Sequence, residues 1–424
     1  MKNLHKKILF IVMIGIVFTL PIATFILMPK EESAFSENEN RFLSKFIQPD
    51  FTGYVRNFFN RRPNNIKNKQ FMNRFDEWFA DRFVLREEFI VLQNELEMLQ
   101  GKTEINGVYV VGDRLIHSWD GETTDVLDLT LEAIDGFAYQ MRELYDTESY
   151  IMLVPSAQEI YMDMLPPNSQ PGNQTALIKH CYDGLEHLTS IDAMTYLVEN
   201  SDSYIYYRTD HHWTTYGAYW GYYAAAARLG IVPYDLAWFD VEHASSDFRG
   251  TLFSKTLNSR ISPDVMSFYT LSSERLGVPV PESTLTITTG KNASGRSIST
   301  EYSSLYLRQF LDKKDKYSAF MGVNSPLMEV ITGATGSFTS SAGGVGAVGE
   351  ESEASLLIFK DSFAHCMIPF LANHYSRITV LDMRHINADV RQFVDLSEYS
   401  QVLFLYEATN FSSDEDLQKL TKIG

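Results

Sequence analysis

The chain has 424 residues, 45% of them hydrophobic, enough to bury a sizeable core in one large domain or two. Its 36 basic and 54 acidic side chains give a net charge of -18, a surface that repels nucleic-acid backbones and argues against nucleic acid as a partner. Cys181 and Cys366 are the only cysteines, too few for a cysteine-based zinc site or a disulfide framework, and the sequence leaves open whether they pair.

Lys2, Lys6 and Lys7 precede the uncharged run ILFIVMIGIVFTLPIATFILM, residues 8–28. Its length suits a bilayer crossing, whereas a cleaved secretory signal has a shorter apolar stretch and a small-residue cleavage site. Residues 1–29 therefore read as a transmembrane signal anchor, lysines in the cytoplasm and the chain from about Pro29 outside it, at the cell membrane. Residues 30–105 read as a tether and a helical segment. PKEESAFSENENRFLSKFIQPD (29–50) is polar and without period, and residues 68–100 show helical spacing with a break near Asp81 to Phe83. INGVYVVGDRLIH then places two apolar runs around Gly112-Asp113, the pattern of a hairpin.

From residue 125, helices and strands alternate. Residues 125–146 and 175–188 have helical spacing, SYIMLVP (149–155) is a short apolar strand, and SYIYYRTD (203–210) is strand-like. Thr214 or Thr215 caps a helix that stops at Gly230. Residues about 240–350 hold β-like runs such as SFYTLS and STLTITT and read as an insertion; residues 333–354, rich in Gly and Ser, read as a flexible loop. The alternation resumes with SLLIF (355–359) as a strand, FAHCMIPFLANHY as a helix kinked at Pro369, SRITVLDM as a strand, NADVRQFVD as a helix, QVLFLYEA as a strand and SDEDLQKLTKI as a helix. This grammar predicts an α/β sheet covered on both faces.

Two stretches carry candidate chemistry. In RTDHHWTTYGAYWGYYA (208–224), Asp210 and His212 point to the same side of an extended loop and His211 to the other. In SLLIFKDSFAHCMIPFL (355–371), Ser362 falls at the carboxyl end of a strand and the start of a helix, where reactive groups of open α/β sheets sit and where free N–H groups favour a developing anion. Taken alone, Ser362 is more simply a helix cap. Taken together, the stretches supply a hydroxyl nucleophile, a histidine base and a carboxylate to orient it. Adjacent histidines on an extended backbone are poor partners for one ion, and the helical i, i+4 pair is absent, so no metal site is expected. The Tyr and Trp residues of TYGAYWGYY read as a packed helix face before a carbohydrate platform.

The D-H-H-W stretch and the later K-D-S-F stretch resemble the DHHW family of Gram-positive bacteria and, more distantly, the SGNH-hydrolase-like domain of alginate O-acetyltransferases. ENENRFL (38–44), WFADRFVLRE (78–87), NGVYV (106–110), VPSAQEIYMDMLP (154–166) and FRGTLFSK (248–255) are further landmarks. The resemblance implies an SGNH-hydrolase-like three-layer α/β sandwich over residues 106–424, with a mostly parallel sheet and the β-rich insertion. It implies O-acetyl transfer outside the membrane, without a cofactor. Ser362 would be the nucleophile, His212 the base and Asp210 its orienting partner, with the N–H of Ser362, Gly322 and Asn324 as oxyanion candidates. A polysaccharide would be the acceptor, and a membrane-bound O-acyltransferase the acetyl donor. An esterase of the same fold and a non-catalytic polysaccharide-binding module are the alternatives. One departure from the family pattern is Lys360, which stands where a glycine usually precedes the Asp-Ser pair.

Overall fold

A run of apolar residues buried at every position is the pattern of a strand covered on both faces. Residues 356–359 and 402–406 follow it. The computed structural model describes residues 2–27, 35–36, 41–45, 66–121, 126–291, 296–334 and 354–423. The expected flexible loop lies mostly outside the described residues. The chain divides into two compact units, Met1–Lys102 with Ser254–Ser259, and Thr103–Phe253 with Arg260–Gly424.

The first unit holds α1 (Lys2–Leu27), α2 (Ile66–Asp81) and α3 (Arg86–Leu99). Within α1, Leu4–Thr24 has a mean hydropathy of 2.2 and is long and apolar enough to cross a membrane. The break between α2 and α3 falls where the spacing predicted it, and Leu85 enters the left-handed region there at φ 58°. Part of the expected tether is ordered: Phe35–Ser36 pairs with Arg41–Phe42. Arg41 grips Asp81 through two hydrogen bonds, Ser44 donates to Asp81 from both its N–H and its hydroxyl, and Arg82 donates to the Ser44 carbonyl. One ion-pair network thus joins the ENENRFL and WFADRFVLRE stretches.

The second unit is built on an eight-stranded sheet. Its strands in chain order are β1 (Glu148–Val154), β2 (Leu188–Ser190), β3 (Ser283–Lys291), β4 (Ser297–Tyr302), β5 (Leu327–Thr332), β6 (Ser355–Lys360), β7 (Arg377–Leu381) and β8 (Gln401–Glu407). Their spatial order is β4-β3-β5-β7-β6-β8-β1-β2. The five strands from β7 to β2 run parallel, and β5, β3 and β4 add antiparallel pairs at one side. Residues 283–332, expected as part of an insertion, therefore extend the main sheet. Among the described residues of the expected insertion, Phe239–Phe248 and Asp264–Leu271 stand apart from that sheet, as a two-stranded antiparallel pair. The predicted turn at Gly112-Asp113 joins Val108–Val111 to Arg114–His117.

Side chains of β6 alternate between two cores, Leu356 and Ile358 on one face, Leu357 and Phe359 on the other. The first face packs with α6 (Thr215–Leu229), the second with α4 (Val126–Tyr145) and α5 (Gln174–Asp183). This is the three-layer arrangement expected. Each fully buried leucine contributes roughly 1.5–3 kcal/mol of transfer free energy. The two cysteines are free and buried in opposite cores, Cys181 with α5 and Cys366 beyond β6, so they form no bridge. Several expected helices shorten to short turns, Ser362–Cys366 and Ile368–Leu371, and Val390–Gln392, and the last is a 3-10 helix of eight residues, Asp416–Ile423. Pro369 does not kink a long helix. It sits in the first turn of Ile368–Leu371, where a missing N–H costs nothing.

Candidate active site

Residues 203–210 form no ladder strand, because their polar groups are taken by a buried carboxylate. The N–H groups of Arg208 and Thr209 donate to Asp264 at 2.7 and 2.8 Å, and the hydroxyls of Thr209 and Tyr204 donate to it as well. The chain then folds back on itself: Tyr207 N–H reaches the His212 carbonyl at 3.2 Å and Thr214 N–H the Ile205 carbonyl at 2.9 Å. Thr214 caps α6 through the Gly217 N–H, so the histidines stand immediately before a fixed helix start, and Gly230 ends that helix at φ 71°. Trp213 is fully buried, and its indole N–H donates to the Phe363 carbonyl at 2.9 Å. The fourth letter of D-H-H-W therefore ties the histidine loop to the serine turn.

The serine turn follows β6. Asp361 caps it: Oδ1 accepts the Phe363 N–H at 2.9 Å, while Oδ2 accepts the Glu407 N–H at 3.0 Å and Asn410 Nδ2 at 2.9 Å. Ser362 opens this five-residue turn, where N–H groups have no acceptor within the turn. A turn this short supplies local N–H donors but not the macrodipole of the long helix expected.

These two segments meet. His212 Nδ1 lies 2.5 Å from Asp210 Oδ1, and His212 Nε2 lies 2.7 Å from Ser362 Oγ. A carboxylate only accepts, so Nδ1 carries the proton and Nε2 presents its lone pair to the serine hydroxyl. Asp210 and His212 are 2% and 4% exposed, whereas Ser362 is partly open to solvent, so the line of hydrogen bonds reaches water at its serine end. Burial raises the Asp210 carboxyl, but the electrostatic pull of the neighbouring His212 and His211 and hydrogen bonds from His212 and Thr251 outweigh it and hold the group well below the usual carboxylate range.

Residues that sequence reasoning passed over complete the site. Thr251, within the FRGTLFSK stretch, donates its N–H to Asp210 Oδ2 at 2.8 Å and its hydroxyl at 3.1 Å. A side chain at Gly250 would place Cβ 2.1 Å from that oxygen, so only glycine admits the approach. Tyr317 stacks flat on the His212 ring, centroids 3.7 Å apart and planes 8° apart, and its hydroxyl donates to the Ser362 carbonyl at 3.2 Å. No local pattern marks Tyr317; the glycine and threonine were visible only as an unexplained motif.

His211 does not point away as expected. Residues 208–212 bend, the two imidazoles lie 3.9 Å apart, and His211 Nδ1 contacts Thr251 Oγ1 at 2.7 Å. The bend also brings ligand atoms of Asp210, His211 and His212 within 4.8 Å of one another. The extended-backbone objection to a metal there falls away, but a chemical one replaces it. Asp210 is bonded to His212 and Thr251, and the His212 nitrogens face Asp210 and Ser362. An ion would have to displace that line.

Lys360 is fully buried. Its ammonium donates to Asn324 Oδ1 at 2.7 Å, His365 Nε2 at 2.8 Å and Asp382 Oδ2 at 3.1 Å. Burial pushes it down to about 8, against the pull of Asp382. His365 belongs to the serine turn, so Lys360 braces that turn against the end of β7 and the loop carrying Asn324. Of the oxyanion candidates, Gly322 has its N–H engaged by the Ser318 carbonyl at 2.9 Å. It serves the turn, where Met321 and Gly322 both adopt positive φ, 60° and 86°. Asn324 has its amide oxygen on Lys360, which leaves the Nδ2 end as its donor.

Residues 102–381 match the DHHW protein family. A DHHW family protein from Eubacterium siraeum has a similar structure, with a TM-score of 0.58 and 21% identity, covering 74% of this chain and 95% of that one. Bacillus cereus PatB1, solved with a sulfonyl adduct, gives a TM-score of 0.57 and 19% identity over 74% of this chain and 98% of its own. The O-acetyltransferase domain of Pseudomonas putida AlgJ gives 0.43 and 12%, over 74% of this chain and 98% of that domain. No curated protein sequence matches the chain.

Proposed function

The chain belongs to the DHHW family, and from that premise we propose that it is a membrane-anchored O-acetyltransferase that modifies a polysaccharide outside the cytoplasm. The observation that carries this reading is the unbroken line from Ser362 Oγ through His212 to Asp210. α1 supports the anchoring, being long and apolar enough to cross a membrane.

The chemistry follows from the atoms. Ser362 Oγ attacks the carbonyl carbon of an acetyl donor, and its proton passes to His212 Nε2. Asp210, ionised and 2.5 Å from Nδ1, stabilises the imidazolium that forms. The tetrahedral oxyanion is received by the N–H of Ser362 and the Nδ2 of Asn324, whose amide orientation Lys360 sets. Collapse expels the donor's leaving group, which takes the proton from Nε2, and leaves acetyl-Ser362. A sugar hydroxyl then gives its proton to Nε2 as it attacks the acetyl carbon, and Ser362 Oγ departs and regains that proton. A membrane-bound O-acyltransferase beside the anchor is the proposed donor.

The test uses the purified full chain in detergent with p-nitrophenyl acetate. Acetyl-Ser362 should form and should discharge faster with an oligosaccharide acceptor than with water. Discharge to water alone, unaffected by every acceptor tried, would make the protein an esterase. No acetyl on Ser362 would overturn the reading and favour a binding module.

A further inference from the structure

A second feature lies along the carboxyl edge of the sheet that carries Ser362. Glu407 at the end of β8 donates its N–H to Asp361 and pairs in register with Val154 at the end of β1. Four residues beyond Val154, Gln158 accepts the Trp119 N–H at 2.7 Å and donates to the Trp119 carbonyl at 3.0 Å. Trp119 lines a cavity of about 540 Å³, a size within the usual range for small-molecule sites. Its floor and walls are preformed. Gly172 N–H donates to the Trp119 carbonyl at 2.8 Å, and a Cβ at Gly172 would fall 2.5 Å from Trp119 Cε3, so the ring rests on bare backbone.

The lining has a definite chemistry. A half-buried indole provides an apolar face. Around it stand Asn168, Ser169 and Gln170; the two amides are exposed, and the Ser169 hydroxyl donates to the Pro166 carbonyl at 2.7 Å and keeps its lone pairs as acceptors. An aromatic face ringed by amides and a hydroxyl suits a pyranose ring, which is apolar on its C–H face and bonds through its hydroxyls at the edge. Glu104 and Asp120 add negative charge, and among the described residues no Lys or Arg lines the cavity. With the chain already at a net charge of -18, a polymer of uronic acids is repelled there, whereas a neutral or amine-bearing one is not.

We infer that this cavity is the acceptor-side subsite and takes a neutral or amine-bearing hexose chain, not a polyuronate. The inference deepens the acyl-transfer reading and rests on it for the word acceptor. Its geometry is independent of Ser362: the subsite would hold one ring of a glycan whose neighbouring residues lie along the sheet edge toward the serine.

The experiment is calorimetric titration of the full chain in detergent with four tetrasaccharides: neutral glucose, N-acetylglucosamine, glucosamine and galacturonate. At least one of the first three should bind, the galacturonate should not, and Trp119→Ala should weaken binding about tenfold, the loss of one stacking contact. Trp119→Phe should recover most of the affinity, which a folding defect would not allow. Asn168→Ala with Gln170→Ala, both on the surface, should weaken binding without moving the melting temperature. Tightest binding of the galacturonate, or equal binding by wild type and Trp119→Ala, or no binding of any tetrasaccharide, overturns the assignment. Acetylation of Ser362 by p-nitrophenyl acetate is measured in the same wild-type preparation. If that fails while Trp119-dependent binding persists, the transferase reading falls and the glycan site stands.

Discussion

His212 Nε2 lies 2.7 Å from Ser362 Oγ although 150 residues separate them. A serine hydroxyl is a weak nucleophile until a base takes its proton, so this contact predicts reactivity. Ser362→Ala should abolish covalent labelling by p-nitrophenyl acetate or a sulfonyl fluoride. His212→Ala should slow it roughly a thousandfold or more. His211→Ala should cost less, because that imidazole contacts Thr251 rather than the serine. Peptide mass spectrometry locates the label; a modified residue other than Ser362, or equal losses for both histidines, would contradict the assignment.

The orienting carboxylate can be tested from behind. Gly250→Ala would place a methyl 2.1 Å from Asp210 Oδ2. The carboxylate must shift, and acetylation should fall by about tenfold or more, since each 1.36 kcal/mol of lost transition-state stabilisation is a factor of ten. Asp210→Asn should be worse, and the double variant should lose little beyond the worse single one, because residues acting as a unit are not additive. Rates of acetylation measured for the three variants check this; a Gly250→Ala protein labelled at the wild-type rate would show that Asp210 need not be held.

Lys360 predicts a pH dependence. Its three ammonium donors face three acceptors, Asn324 Oδ1, His365 Nε2 and Asp382 Oδ2; Arg384 also holds Asp382, and Asp361 lies close enough to act electrostatically. Above about pH 8 the neutral amine has only two donors, one acceptor is stranded, and the serine turn loses a brace. Acetylation should therefore decline as pH rises through about 8, and Lys360→Met should be slower but flat across that range. Stability should move the other way. A lysine whose folded value is depressed contributes stability that is present above its unfolded value and lost as pH falls through the folded one, so the fold strengthens between pH 8 and 10.5. Parallel rate and melting measurements separate the two; a melting temperature that falls together with the rate would point to unfolding instead.

Chelation gives a fourth expectation. The ligand atoms of Asp210 and His212 are engaged with each other, with Thr251 and with Ser362. EDTA should leave acetylation unchanged. Loss of labelling on chelation, restored by zinc or manganese, would mean that the acidic-histidine bend holds an ion in the working protein.

The anchor is checked in cells. If residues 8–28 cross the bilayer with Lys2, Lys6 and Lys7 inside, protease added to cells whose wall admits it should digest the chain beyond Pro29. Complete protection would place the rest of the chain on the other side.

Much of this protein is written locally. Hydrophobic runs of five to seven residues become parallel strands because both faces are covered, so β1, β6, β7 and β8 are legible without knowing their neighbours. The Thr214 cap, the Gly230 stop and the break before Arg86 are equally local, since each depends on one residue's own backbone. Where a buried group from elsewhere claims the backbone, local reading fails. Asp264 takes the N–H groups of Arg208 and Thr209, and the strand expected there becomes a bend. That bend turns His211 onto His212 instead of away from it.

The motifs Asp210-His211-His212 and Asp361-Ser362 named the candidate groups, because the chemistry they offer is carried by residue type. Tertiary structure alone decided how they meet. Trp213 bonds the histidine loop to the serine turn, and Tyr317 stacks beneath His212 from a segment with no motif. Thr251 reaches Asp210 only because Gly250 has no side chain. Lys360, a departure when read in line, becomes an ammonium with three acceptors once β7 and the Asn324 loop are packed against it. Distances between residues far apart in sequence are set by packing of the sheet and its helices, and no local pattern encodes them.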